Sequence, residues 1–176
     1  GLEPDFPSSE GSQNGYFLLP YHMLNYTVAC KPCNSSFKSN FFPIEGTRDI
    51  GNDDPSKMKG EEAYLVYPIG TLDEDPERVL RYDGVMAVPV NKSGKRHQRA
   101  RVTIVFFQLN SREEHFFERS EKLSHLFLAL EEIHQPRSRL HKRLATAAVK
   151  RLTSEKNSHT NCSRSFKKLY ETDRPH

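Results

Sequence analysis

The sequence predicts an α+β protein, in which a small antiparallel sheet is followed by a C-terminal helical segment. Between residues 63 and 107, short runs rich in β-branched and aromatic residues are separated by Gly, Pro and charged residues, which is typical of strands. From Ser111 onward, apolar residues recur at steps of three, four and seven, the period of an amphipathic helix.

Three strands are predicted in the sheet, at residues 63–67, 84–90 and 101–107. The third alternates apolar and polar residues, so that Val102, Ile104 and Phe106 are expected to face a core. The connection before this strand is predicted to be a basic loop that contains Gly94.

Two helices are predicted after the sheet. The first begins at Ser111, whose hydroxyl is expected to cap it, and ends near Gln135 because Pro136 follows. Its apolar stripe consists of Phe116, Leu123, Leu126, Phe127, Leu130 and Ile133. The second begins at Pro136, and its apolar face consists of Leu140, Leu144 and Ala148.

The length of 176 residues predicts a single domain. Residues 1–15 are expected to be a mobile N-terminal segment, residues 16–152 the domain itself, and residues 153–176, which show no regular period, a C-terminal tail. The chain begins at Gly1 without an initiator Met or a signal peptide, which favours a trimmed or partial protein. No apolar run approaches the roughly 18 residues of a membrane span.

The net charge of +3 is unevenly distributed along the chain. Residues 1–90 contain 7 Lys/Arg and 14 Asp/Glu, whereas residues 91–176 contain 19 and 9. The basic half is therefore a candidate surface for a polyanion, and its alternative is a set of solvated helix faces.

The three cysteines are Cys30, Cys33 and Cys162. An odd number with one C-x-x-C pair does not fit a secreted disulfide framework, so we expect reduced thiols and a cytoplasmic protein. Cys30 and Cys33 can supply two thiolates, half of a tetrahedral zinc site. The alternatives are a thiol-redox motif, which requires a βαβ unit that is not predicted here, and two buried cysteines.

The residues Asn25, Cys30, Cys33, Asn34 and Lys38 form the string N-x-x-x-x-C-x-x-C-N-x-x-x-K. This string resembles the second half of an HNH endonuclease motif, in which a two-stranded ribbon and a helix surround one divalent cation. The resemblance implies a ββα-metal motif before the small sheet.

Further matches narrow the resemblance to HNH nuclease subunits of Septu-type and some retron-associated anti-phage systems. They span residues 16–130 and comprise Tyr16, Phe17, Leu18, Phe42, Pro43, the segments 65–68 and 73–76, Leu109, Asn110 and Arg119. The resemblance implies the effector subunit of a bacterial defence complex, working on DNA with an ATPase partner.

One part of the family pattern is missing. An upstream Glu-His or Asp-His, which supplies the catalytic His, does not occur in residues 1–24. His22 lies three residues before Asn25, a spacing too short for a strand end and a loop. Activity is therefore expected only if the catalytic His precedes this chain.

The resemblance implies metal-assisted hydrolysis of a phosphodiester bond. Asn34 would offer a neutral oxygen to Mg²⁺ or another divalent cation, Asn25 would hold the loop, and Lys38 would contact phosphate. Each residue also has a purely structural alternative: Asn25 could be a turn residue, Asn34 a helix N-cap, and Lys38 a solvated lysine.

More cations can extend this DNA surface or dock a partner protein. One set surrounds the predicted loop and comprises Lys92, Lys95, Arg96, Arg99 and Arg101. The second predicted helix carries Arg137, Arg139, Lys142, Arg143, Lys150 and Arg151. No metal-binding spacing with a nearby acid is recognised for His97, His115, His125, His134 or His141.

A second functional hypothesis is a noncatalytic, zinc-stabilised module that binds DNA or protein. It shares the Cys30–Cys33 pair and the basic half with the nuclease hypothesis and differs from it in lacking the catalytic His. A third, thiol-redox hypothesis requires an exposed thiolate of low pKa.

Overall fold

The computed structural model describes residues 15–38, 41–68 and 72–173. Its regular elements are β1 (Leu80–Asp83), β2 (Met86–Pro89), α1 (Gly94–Phe106), α2 (Glu113–His134), α3 (Arg139–Leu152) and α4 (Thr160–Asp173). The α+β class is confirmed. Most of the predicted mobile segment lies outside the described residues.

Contacts divide the chain into two compact units. The first unit comprises Gly1–Leu80 and Pro89–Gln108, and the second comprises Arg81–Val88 and Leu109–His176. Within the described residues, no helix is both long and apolar enough to cross a membrane.

The predicted strand 84–90 is confirmed in its centre as β2, which pairs with β1. Sequence reasoning missed β1, whose residues Arg81–Asp83 are mostly polar. The two-residue connection between the strands begins at Gly84, with φ of 55°. Glycine adopts this left-handed conformation without the steric cost that a Cβ would bring.

The predicted strand 101–107 is wrong, and so is the loop before it, because both lie largely in α1. This helix buries residues at helical spacing: Arg99, Ala100, Val102, Thr103 and Phe106. Its apolar residues pack on Tyr64 and Leu65 to form the core of the first unit. A run of β-branched residues fits either element, and packing on these partners decides for the helix.

The predicted strand 63–67 is reduced to one antiparallel bridge between Ala63 and Ile44. Close to this bridge, the amide of Gly46 donates a 2.9 Å hydrogen bond to the carbonyl of Glu61. A Cβ at position 46 would lie 2.1 Å from the carbonyl oxygen of Gly60. Gly46 is therefore required by the close approach of two backbone segments.

The second unit has α2 at its centre, and the bounds of α2 agree closely with the prediction. Ser111 is not its cap, because Arg112 occupies the N-cap position without a side-chain hydrogen bond. Leu123, Leu126 and Leu130 are buried, whereas Phe116 and Phe127 of the predicted stripe are 47% and 44% exposed.

The helices α3 and α4 complete this second core. In α3, Ala145, Val149 and Leu152 are buried, whereas Leu140 and Leu144 are 61% and 60% exposed, so the predicted apolar face is wrong. Ser138 caps α3 by accepting from the amide of His141. The helix α4 lies where no period was recognised, and its Phe166 and Tyr170 pack on Leu126 and Val149.

Candidate metal and nucleic-acid site

Cys33 and Asn34 of the C-x-x-C-N string lie in a short π-helical segment of the first unit, and Cys30 lies two residues before it. Pro32–Lys38 forms a single π-helical turn, and the amide of Asn34 donates a 3.0 Å hydrogen bond to the carbonyl of Cys30. Cys30 and Asn34 are exposed, and Cys33 is half-buried. The alternative of a buried cysteine pair is therefore wrong for Cys30, and Asn34 lies inside the turn rather than at its N-cap.

Asn25 holds the loop that precedes this turn. Its side-chain amide donates to the carbonyl of Leu19 over 3.2 Å. His22 caps the short helix Met23–Asn25, because its Nδ1 accepts from the amide of Leu24 at 3.2 Å. The hydroxyl of Tyr67 lies 2.7 Å from the carbonyl of Leu24, which ties the loop to the segment 65–68.

Two aromatic residues that flank the string come together around a buried carboxylate. Tyr16 contacts Phe42 edge to face, with 5.9 Å between ring centroids. The Tyr16 hydroxyl donates to Glu61, which is 4% exposed, and accepts from Arg48. Burial and the neighbouring Glu61 raise the pKa of Tyr16 to about 12. This network fixes the start of the first unit and has no evident role in chemistry.

Lys38 ends the π-helical turn and is half-buried, and burial lowers the pKa of its ammonium group. Desolvation disfavours the charged form, so a phosphate placed here would find a cation with few competing water molecules. The position is compatible with a phosphate contact, which stays a prediction.

The basic residues of α1 face carboxylates of their own unit. Lys95 forms ion pairs with Glu45 and Glu62 and lies 4.0 Å from the ring centroid of Tyr64. Arg96 Nε lies 2.8 Å from Glu74. In this conformation both charges are already paired with carboxylates, which weakens their net attraction for a phosphate.

Arg99 is buried and holds the segment 73–76 in place. Its guanidinium donates to Asp73, to Glu74 and, over 3.3 Å, to the carbonyl of Leu65. Burial opposes the ionised form of Asp73, but the hydrogen bonds from Arg99 and two amides outweigh it and hold the pKa of this carboxyl below its usual value. Arg99 thus stabilises the first unit, and DNA contact by it stays an untested prediction.

Asn110 and Arg119, two residues that match the family pattern, have a structural role in the second unit. The amide of Asn110 makes two hydrogen bonds to the backbone of Ala87, of 2.8 and 2.9 Å. The guanidinium of Arg119 donates to the carbonyls of Val85 and Leu109 and lies over the ring of Tyr82. Together they join the hairpin to α2.

Five cations of α3 are exposed: Arg139, Lys142, Arg143, Lys150 and Arg151. Within the described part of the chain, none of them has a carboxylate at ion-pair distance, whereas Arg137 is paired with Glu132. These five residues, named here the α3 basic face, are the better candidates for contact with a polyanion.

One group of possible metal ligands is formed among the described residues by His115, Glu118 and His159. Burial, followed by the charge of Arg112, lowers the pKa of His115, which favours its neutral ring. The prediction that His115 has no nearby acid in metal-binding spacing is therefore wrong. His115 and Glu118 are three residues apart on α2, a signal in the sequence, but His159 joins them only through the fold.

Comparison with known proteins gives one similarity. The chain is 28% identical over 99 residues to the Septu protein PtuB of Bacillus mycoides (strain KBAB4), a match covering 56% of this chain. The match spans 31% of that protein, so the chain corresponds to about a third of the length of its curated relative. No family model and no solved structure matches the chain. The similarity supports a Septu-related protein.

Proposed function

We propose that this chain is part of a metal-dependent HNH endonuclease that hydrolyses phosphodiester bonds of DNA within a cytoplasmic, Septu-type anti-phage defence complex. The similarity to a Septu protein carries this proposal. The spacing of Cys30, Cys33 and Asn34 supports it, because the two thiols and the amide lie within five consecutive residues, of which Cys30 and Asn34 are exposed.

Cys30, Cys33 and Asn34 supply part of the donors that two metal ions would require. Cys30 and Cys33 supply two thiolates for a structural Zn²⁺, whose remaining ligands come from outside this pair. Asn34 offers a neutral amide oxygen, which suits Mg²⁺. A divalent cation bound there supplies stabilisation of negative charge on the phosphate.

The other residues position the site and the substrate. Asn25 keeps the loop from Leu19 onward in one conformation through its bond to the Leu19 carbonyl. Activity requires a catalytic His upstream of Gly1, because the nitrogen Nδ1 of His22 already accepts a hydrogen bond from the amide of Leu24. Lys38 and the α3 basic face supply cations for the phosphate backbone, and an ATPase is the proposed partner subunit.

The test uses the intact protein, including the upstream His, and measures Mg²⁺-dependent nicking of supercoiled plasmid. Asn34→Ala should slow nicking by roughly 10- to 100-fold or more, since the loss of mere supporting groups around a metal already has that effect. Because Asn34 is exposed, the melting temperature should move by no more than about 2 °C.

Ser36→Ala, on the same exposed turn, is the matched control and should leave nicking unchanged. Equal nicking by the Asn34→Ala variant would remove Asn34 from the site. If the intact protein binds DNA and holds zinc through Cys30 and Cys33 but never nicks DNA, the noncatalytic zinc-stabilised binding module becomes the better description. The exposed α3 basic face supports this binding module as much as it supports the nuclease.

A further inference from the structure

The cluster of His115, Glu118 and His159 lies in the second unit and takes no part in the function proposed above. Glu118 Oε2 lies 2.8 Å from His159 Nε2 and 3.8 Å from His115 Nδ1. All three ligand atoms lie within 4.8 Å of one another. Ligands of a tetrahedral zinc ion are about 3.3 Å apart at metal–ligand distances of about 2.0 Å. Small side-chain adjustments therefore bring all three onto one ion.

The cluster is buried on the side of the two histidines and open to solvent on the side of Glu118. His115 Nδ1 is buried and has no hydrogen-bond partner, which is unusual for a polar atom in that position. The side chains of His115 and His159 are 24% and 15% exposed, whereas that of Glu118 is 60% exposed. A cation can thus enter past Glu118, and it would give the buried nitrogen a partner.

The backbone presents the three ligands without rearrangement. His115 and Glu118 are three residues apart near the start of α2, so they share one helix face. His159 directly precedes α4 with a φ of 54°, a left-handed conformation that is uncommon for residues with a Cβ. Lys122 fixes the segment that carries His159, because its Nζ donates to Asn157 Oδ1 and to Ser158.

The charges around the cluster select the kind of cation. Arg112, Arg119 and Lys122 lie near it, although each is held by its own partners, which include Glu114, the Leu109 carbonyl and Asn157. One carboxylate amid these cations is a poor site for Mg²⁺ or Ca²⁺, which require several charged or carbonyl oxygens. Two imidazoles and one carboxylate instead suit Zn²⁺ and its neighbours in the first transition series.

We propose that His115, Glu118 and His159 bind one divalent transition-metal ion, Zn²⁺ or a close substitute, which fastens the start of α2 to the start of α4. A fourth position stays open for water. This site is independent of the Cys30–Cys33 pair, so it stands even if the proposed nuclease function fails.

The experiment titrates the full chain with Co²⁺ and with Zn²⁺. Cobalt bound by thiolates gives an intense charge-transfer band in the near ultraviolet, which separates the cysteine pair from a His/Glu site. We expect a component with ligand-field bands in the visible range and no thiolate band. The variants H115Q, E118Q and H159N should each weaken this component by about tenfold or more.

H159N retains a residue that tolerates left-handed backbone, and H125Q replaces an exposed His of α2 as the matched control. Circular dichroism without metal checks that each variant folds. Independently of any variant, Zn²⁺ should shift the imidazole NMR signals of His115 and His159 in the unmodified chain. Unshifted signals, a response of H125Q equal to that of H115Q, or cobalt bound only through thiolates would overturn the proposal.

Discussion

The helices α1 and α3 are both rich in cations but use them in opposite ways. In α1, the charges of Lys95, Arg96 and Arg99 are balanced by carboxylates of their own unit. In α3, the basic face meets solvent. Counting charges along the sequence places both sets in one basic half, whereas the structure pairs the cations of α1 with carboxylates and, within the described residues, leaves those of the α3 basic face without one.

The largest expected effect concerns Arg99, the most buried cation of α1. Arg99→Met removes its hydrogen bonds to Asp73 and Glu74 and leaves two partly buried carboxylates without their counter-charge. Removal of one partner from such a pair destabilises a protein by about 3 kcal/mol. The measurement is urea unfolding followed by circular dichroism. Arg143→Met on the α3 basic face should change stability by no more than about 0.5 kcal/mol, and equal losses would contradict the distinction between the two helices.

A somewhat smaller effect is expected for DNA binding by the α3 basic face. Replacement of both Lys142 and Arg143 by Gln should lower the slope of log affinity against log salt by about 2 and weaken binding at moderate salt by about 2 kcal/mol. Duplexes of different sequence should weaken alike, because phosphate contacts do not read bases. Fluorescence anisotropy over a range of salt concentrations measures both.

The control for this prediction is the pair Lys95→Gln and Arg96→Gln in α1. Because these cations are already paired with Glu45 and Glu74, their loss should leave the salt slope nearly unchanged. A larger change in slope for the α1 pair than for the α3 pair would reverse the assignment and return the DNA surface to residues 91–99.

The smallest expected effect is the pH dependence of the ion pair in the first unit. The pKa of Asp73 is depressed in the folded chain, so its stabilising contribution is present above its ordinary pKa of about 4 and is lost as the pH falls through the folded-state value. Stability measured from pH 6 downward should therefore decline more steeply in the original chain than in an Asp73→Asn variant. Asp83→Asn, at an exposed position, should retain the original decline. Parallel curves for the original chain and Asp73→Asn would contradict this.

How much the sequence predicts depends on where the deciding contacts lie. The bounds of α2 follow from apolar spacing and Pro136, both local signals. The residues of α1 are predicted as a strand because the contacts that favour a helix there are with Tyr64 and Leu65, far earlier in the chain. In α4, Cys162, Phe166 and Tyr170 do recur at steps of four, but the polar and charged residues between them obscured this short apolar stripe.

The same holds for the candidate site. The closeness of Cys30, Cys33 and Asn34 is predictable, because all three lie within five consecutive residues. The partners of Arg99 could not be predicted, since Asp73 lies 26 residues away along the chain. His159 escaped for the same reason, because it reaches Glu118 across 41 residues.

The close approach at Gly46 bears on how this chain should be aligned with its relatives. No side chain fits where the carbonyl oxygen of Gly60 already stands, and backbone cannot yield as the end of a long side chain can. Glycine is thus compulsory there as long as the bridge between Ile44 and Ala63 exists. In an alignment, Gly46 therefore marks the column where the two backbone segments meet. A homologue with any other residue in that column must have a different backbone path between these segments. Insertions are expected between positions 47 and 59 rather than at Gly46 or Gly60.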